Sequence, residues 1–405
     1  MRKDVVFLGC RGYSRGYGGW ETLVRNLIDN WQHPDVHFYV FELVHTPEEE
    51  GVAVVNGVTC IRILVSAKNH FEMIFCDYKA LRMLKELKAR FGLENPILYV
   101  MGARVGGLFW LKRRQIRKMG YILVHNPAGL EWKRERNPLV AAYVYISHKM
   151  LANACRFLIC DCKAMQEVYA RVTPKMQTRS CAIYYGTYAQ QPQDGVIGAA
   201  AQAFFDAHGI TPGKYYLIVN RFVRENSYDL ILREFTQSKT DADFIVVSNI
   251  DRENRIYAEI ARRVPFERDP RIKFVGTVYD QDVLKPLRAH ARGYINGHTL
   301  GGTNPGLLEA LATTDVNLVR DCVFSREGAG DTALYFDEAE GSLRRAIELC
   351  DGMSAAERRA MGERAKTRMK EQFDWKLIAE QYNTAFCRLF DTYPAQEKAG
   401  CPKER

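Results

Sequence analysis

The stretch Gly297-His298-Thr299-Leu300-Gly301-Gly302-Thr303-Asn304-Pro305-Gly306-Leu307-Leu308-Glu309-Ala310-Leu311 decides the reading of this chain. A small-residue loop ends at a proline, and a helix begins there. Proline suits a first helical turn because its missing N–H would be orphaned anyway. The Gly-Gly-Thr-Asn turn exposes backbone N–H groups at the positive end of the helix dipole, which makes an anion site, most often for phosphate. Glu309 lies one turn further along the same helix. A diphosphate at the helix start puts an attached ribose near that carboxylate.

Working outward, short apolar runs alternate with helical patterns along the whole chain, which predicts parallel sheets covered by helices. The strands of the first half read at residues 5–9, 37–41, 60–64, 97–101, 121–124, 157–160 and 181–184. Those of the second half read at 215–220, 243–248, 272–275, 293–296, 316–319 and 333–336. Helical patterns fall between them, for example at 71–91 and 138–154. Linker chemistry at 190–213 divides the chain. A length of 405 residues suits two domains, and 47% hydrophobic residues fill two cores. The expected domains are 1–190 and 210–370, with a last helix at 375–393 packing back on the first, and a disordered tail after Pro394. Open parallel sheets bind ligands beyond the carboxyl ends of their strands, so two such domains place a ligand in the cleft between them.

No apolar run reaches the roughly 20 residues needed to span a bilayer. The first residues are too short in their apolar part for a signal peptide and read as a strand, which places the chain on the cytosolic side. The eleven cysteines lack zinc-ligand spacing and read as reduced, buried small hydrophobes. The net charge of +9 points to nucleic acid, an anionic membrane or an anionic small substrate, and the position of the charge decides between them.

Several loops after strands carry chemistry. Gly9-Cys10-Arg11-Gly12-Tyr13-Ser14-Arg15-Gly16-Tyr17-Gly18-Gly19-Trp20-Glu21 lets backbone approach a ligand closely, without the G-x-G-x-x-G spacing of dinucleotide sites. It reads as a roof over a sugar diphosphate through Gly18 and Gly19, with Arg11 as an anion contact. Asn220-Arg221-Phe222-Val223-Arg224-Glu225-Asn226-Ser227 ends a strand in an arginine, which is costly without an anion or carboxylate partner. Asp241-Ala242-Asp243 and Asp280-Gln281-Asp282 match an Asp-x-Asp metal pattern, but one precedes a strand and the other starts a helix, where Asp favours the dipole. No metal is expected. Leu108 to Lys118, with Phe109, Trp110, Lys112, Arg113 and Arg114, reads as an exposed apolar and basic helix suited to an anionic membrane surface. No nucleic-acid module is recognisable.

Taken together these segments resemble the family 4 retaining glycosyltransferases, which have two Rossmann-like α/β domains in the GT-B arrangement. Tyr17-Gly18-Gly19-Trp20-Glu21 and Gly301-Gly302-Thr303-Asn304-Pro305 resemble a bacterial rhamnosyltransferase branch of that family. The resemblance implies that Arg221 and Asn226 touch the leaving diphosphate, Asn226 standing where most members carry Lys. It implies that His298, Gly301, Gly302, Thr303 and Asn304 hold the donor, and that Glu309 holds its ribose. Gly301 replaces a glutamate that usually meets donor-sugar hydroxyls. Val278 and Tyr279 stand in the base-binding loop by position. Arg11, Trp20, Glu21, Asn126 and Glu131 fall on the acceptor side. The segment His125-Asn126-Pro127-Ala128-Gly129-Leu130-Glu131-Trp132 is similar to one in which relatives carry Asp where this chain has Ala128.

The implied activity is transfer of L-rhamnose from dTDP-β-L-rhamnose, without metal or cofactor, to a sugar on a polyprenyl diphosphate. It would serve bacterial surface polysaccharide synthesis, at the inner face of the cell membrane. The alternatives are another nucleotide-sugar donor, glucosyl or N-acetylglucosaminyl, or a donor-binding protein impaired in catalysis through Ala128.

Overall fold

The computed structural model describes residues 2–15, 18–65, 71–188, 195–250 and 255–393, and 394–398 as backbone. The chain divides into two compact units. One comprises residues 1–185 with 375–405, the other residues 186–374.

In the first unit the elements run β1 (Lys3–Leu8), α1 (Gly19–Asp29), β2 (Val36–Val44), β3 (Gly51–Val55), β4 (Val58–Leu64) and α2 (Glu72–Phe91). There follow β5 (Ile97–Met101), α3 (Gly106–Lys118), β6 (Ile122–Asn126), α4 (Glu131–Arg134) and α5 (Pro138–Ala154). The sheet is completed by β7 (Phe157–Cys160), α6 (Lys163–Val172) and β8 (Ser180–Ala182). Eight strands lie in the order β3-β4-β2-β1-β5-β6-β7-β8. All pair in parallel except β3 with β4. The central strands are buried along their length, as strands covered on both faces must be. The β3–β4 hairpin was not foreseen: β3 is a largely exposed edge strand without a buried apolar run.

The second unit runs α7 (Ala199–His208), β9 (Tyr215–Val219), α8 (Tyr228–Thr236), β10 (Asp243–Val247), α9 (Arg255–Ala261), β11 (Ile272–Gly276) and α10 (Gln281–Ala289). It continues through β12 (Gly293–Asn296), α11 (Pro305–Thr313), β13 (Asn317–Arg320), α12 (Val323–Ala329) and β14 (Leu334–Phe336). Helices α13 (Ser342–Gly352) and α14 (Ala355–Gln372) close it. Six parallel strands lie in the order β11-β10-β9-β12-β13-β14. Apolar clusters cover both faces, one built on Tyr216, Ile218 and Phe244, the other on Tyr215, Leu217 and Ile245. In chain order this is 3-2-1-4-5-6, the doubly wound arrangement whose switch point lies between β9 and β12.

The last helix, α15 (Trp375–Lys398), belongs to the first unit. It packs Tyr382 and Phe386 against Tyr99 and Trp31. It runs past Pro394, where a disordered tail was expected; residues 399–405 lie outside the described residues. Among the described residues no helix is long and apolar enough to cross a membrane. The ten cysteines described are all free.

Candidate functional site

In the second unit, the loops that follow β9 and β12 meet at the switch point. Asn226 is buried and joins them. Its Nδ2 donates to Arg221 O at 2.8 Å, and its Oδ1 accepts from His298 Nδ1 at 2.9 Å. That bond places a proton on Nδ1 of the imidazole. Thr299 N donates to Glu225 O at 2.9 Å, and Ser227 Oγ to Gly297 O at 2.9 Å. The approach is close enough that a Cβ on Gly297 would sit 2.2 Å from Asn226 O, so only glycine fits.

Asn226 was expected on the leaving diphosphate. Its amide is instead spent on the two loops, so it acts by holding His298 and Arg221's backbone in place. Arg221 itself is exposed and has no side-chain partner among the described residues. The strand stops at Val219, two residues short of it, which spares the guanidinium the burial that the sequence suggested.

Helix α11 starts as read. Pro305 occupies its first turn and Asn304 caps it, accepting from Leu307 N at 3.2 Å. Gly301 and Gly302 are buried in the turn ahead. Gly301 adopts φ 119°, outside the range an L side chain takes comfortably.

At these strand ends two buried side-chain amides lack acceptors among the described residues, Asn220 Nδ2 just past the end of β9 and Asn296 Nδ2 at the end of β12. Buried polar groups are otherwise nearly always satisfied, and an oxygen-rich ligand seated between these strands would supply the acceptors. Glu309 faces a residue the sequence did not single out: Arg288 of α10, itself buried, reaches Glu309 Oε2 at 2.6 Å. The pair lies 21 residues apart in sequence, beyond any helical spacing.

Val278 and Tyr279 follow β11, two strands from β9, about 10 Å away at ordinary sheet spacing. Val278 packs into the core, while Tyr279 is 63% exposed. Three of the four Asp-x-Asp carboxylates are engaged otherwise. Asp241 pairs with Arg292 and Asp243 with Lys273, both at 2.8 Å, and Asp280 caps α10. Among the described residues no three His, Cys, Asp or Glu side chains gather as a metal-binding group.

In the first unit the glycine-rich loop after β1 is held by carboxylates. Arg11 N donates to Glu21 Oε1 at 2.7 Å. Tyr13 N and Ser14 N donate to Glu42 Oε1 at 3.0 and 2.9 Å. The Arg11 guanidinium, expected on a substrate anion, is instead paired with Glu72 at 2.5 Å, and Glu21, expected toward the acceptor, is a buried anchor of the loop. Helix α1 begins at Gly19 with Gly18 as its cap; Gly16 and Tyr17 lie outside the described residues. Trp20 packs over Gly102, with the Arg104 guanidinium 5.0 Å from its ring centre. Arg104 also pairs with buried Asp77 at 3.0 Å. Burial lifts the Asp77 carboxyl to about 6 against the pull of Arg104.

After β6, Asn126 Oδ1 accepts from Ala128 N at 3.0 Å while Nδ2 donates to Tyr99 Oη at 3.0 Å. Asn126 is fully buried, so it shapes the Pro127-Ala128-Gly129 turn rather than meeting an acceptor. Ala128 is buried in that turn. Glu131 Oε2 lies 3.0 Å from His148 Nε2, and His148 Nδ1 lies 2.6 Å from Tyr169 Oη. Burial works against the Glu131 carboxylate, but His148 outweighs it and holds its pKa below the usual range. Trp132, Tyr169 and His125 pack around that pair. Burial, then His148, pushes His125 down to about 3.

Phe109 was expected on an exposed membrane face. It is 1% exposed, because α3 turns it into the core, and Trp110 is covered by the Arg113 guanidinium 4.1 Å from its ring. The apolar residue of α3 that reaches solvent is Leu111.

A family model described as a domain of unknown function (DUF1972) matches residues 2–188. Among curated proteins no sequence matches. Solved structures match over nearly the whole chain. A sucrose-phosphate synthase from Thermosynechococcus elongatus aligns at TM-score 0.76 and 18% identity, covering 96% of this chain and 100% of that one. Anabaena HepE, solved in complex with UDP, aligns at 0.69 and 12% identity, covering 96% and 100%. A UDP-forming α,α-trehalose-phosphate synthase from Burkholderia vietnamiensis aligns at 0.68 and 14%, covering 96% and 97%. This is the GT-B fold. At such identities the likeness is one of fold.

Proposed function

We propose that the chain is a retaining glycosyltransferase moving L-rhamnose from dTDP-β-L-rhamnose to a lipid-diphosphate-linked sugar. The observation that carries the reading is the switch point of the second unit. There the capped start of α11, the orphaned amides of Asn220 and Asn296, and the unpaired cation Arg221 sit on loops and strand ends that are neighbours in the fold. A helix N-terminus and an uncompensated guanidinium suit a leaving diphosphate. The choice of rhamnose rests on the wording of Tyr17-Gly18-Gly19-Trp20-Glu21 and Gly301-Gly302-Thr303-Asn304-Pro305.

The step is a front-face displacement. The bond from the sugar's anomeric carbon to the diphosphate oxygen breaks, and the nucleoside diphosphate leaves with the electron pair. The bond to the acceptor oxygen forms on the same face, and the hydroxyl proton passes to a diphosphate oxygen. Arg221 and the amides of Thr303 and the α11 start stabilise the departing charge. Asn226 positions His298 beside them, and Arg288 aims Glu309 at the ribose. The scheme invokes no metal. A second reading, a uridine diphosphate sugar as donor, is favoured by HepE, which has been solved with UDP and glucose.

A panel of nucleotide sugars offered with an undecaprenyl-diphosphate-linked sugar tests the proposal. Product formation from dTDP-rhamnose alone supports it, and preference for a uridine diphosphate sugar replaces the donor. Tight dTDP binding with no transfer from any donor indicates the impaired catalyst that Ala128 suggests.

A further inference from the structure

We propose that helix α5 docks this protein on an anionic lipid surface. Leu139, Val140, Tyr143 and Ile146 recur at i, i+1, i+4 and i+7 and share one face. Leu139 is 80% exposed, Tyr143 57% and Ile146 52%, while His148 and Leu151 on the other side are buried. Helix α3 packs beside α5, with Gly106 N donating to Ser147 Oγ at 2.9 Å, and adds exposed Leu111.

The charge around this stripe selects the occupant. Residues 101–160 hold eleven Lys and Arg against two Glu, a net +9 equal to that of the whole chain, and the remaining residues balance. Arg114 and Lys118 on α3 and Lys149 on α5 are exposed. An apolar stripe bordered by cations matches the acyl and headgroup layers of an anionic leaflet. A second copy of this chain would bring the same cations together across a symmetric interface, and nucleic acid would leave the stripe uncovered.

The inference deepens the proposed function, since a lipid-linked acceptor resides in such a surface. Its test uses neither donor nor acceptor, so it can fail while the transferase reading stands. The full chain is sedimented with vesicles of phosphatidylcholine, with and without phosphatidylglycerol. At low salt at least about tenfold more protein should bind the anionic vesicles, and salt should release it. Combining Leu139→Ser, Tyr143→Ser and Ile146→Ser should lower binding at least about tenfold with unchanged thermal melting. Should that variant fold poorly, Lys112→Gln, Arg114→Gln and Lys149→Gln together should weaken binding and flatten its salt dependence. Wild-type protein left in the supernatant would overturn the proposal, as would cation variants that bind like wild type. So would a dimer in solution that the serine variant dissociates, because α5 would then cover itself.

Discussion

The loops after β9 and β12 in the second unit and the loop after β1 in the first all follow central strands, yet opposite means hold them. The first pair is fastened by neutral hydrogen bonds through Asn226, Ser227 and Thr299; of the two arginines after β9, Arg224 pairs with Glu259 and Arg221 stays exposed. The other is fastened by carboxylates: Glu21 and Glu42 take the backbone N–H groups, and Glu72 takes Arg11. A loop that spends its charges on itself has fewer left for a ligand. Positive character is therefore available in the second unit, where a diphosphate is proposed to bind. In the first unit the ionised groups chiefly build the framework.

Four perturbations sharpen or break that contrast. Arg221→Ala should lower turnover about 10²–10³-fold, the usual cost of one preorganised donor to developing charge, and leave thermal melting unchanged because the side chain is exposed. A variant that keeps near-normal turnover would remove Arg221 from the chemistry. Glu42→Ala should do the reverse, destabilising the first unit by about 3 kcal/mol in urea titration, because it strips buried N–H groups of their charged acceptor. Unchanged stability would mean that the loop holds without its carboxylates.

Ala128→Asp tests whether the turn after β6 has a chemical role. Placing a carboxylate there should raise transfer at least about tenfold with little change in nucleotide affinity. Equal or slower kinetics would leave Ala128 as a small residue closing the turn with Asn126.

The gentlest probe is pH. His125 is neutral in the folded protein down to about 3, whereas the unfolded chain protonates it below its ordinary 6.5. Its contribution to stability is thus complete above 6.5 and lost as pH falls toward 3, by at most about 1.4 kcal/mol per pH unit. Asp77 acts in the opposite direction: its carboxyl is raised to about 6, so the stability it lends is present at low pH and lost as pH rises from 3.8 through 6. Comparing His125→Phe with wild type between pH 6.5 and 5 isolates the histidine, and the variant's melting temperature should fall less steeply. Parallel slopes would place the proton elsewhere.

Much of the fold was legible because central parallel strands are short, apolar and bounded by turns. Ile97–Met101, Phe157–Cys160 and Gly293–Asn296 sit where the pattern put them. The β3–β4 hairpin escaped because its first strand is exposed, although Asn56-Gly57 between valines is a strong two-residue turn signal, and both residues take positive φ. The phosphate helix was legible from Asn304-Pro305 because capping is a local affair. Partners were not: Arg288 with Glu309, His148 with Glu131 and Glu72 with Arg11 meet only through tertiary folding. Phe109 was misplaced because the basic run that follows it in sequence masks the helical period that turns it inward.

The proposed donor site seats a nucleoside diphosphate at the start of α11, between the ends of β9 and β12. Amide hydrogen exchange with and without saturating dTDP tests it most directly. The amides of residues 299–308 and of the loop 220–227 should slow, and Arg221→Ala should weaken the effect. Protection confined to other segments, or none at saturation, would contradict the claim.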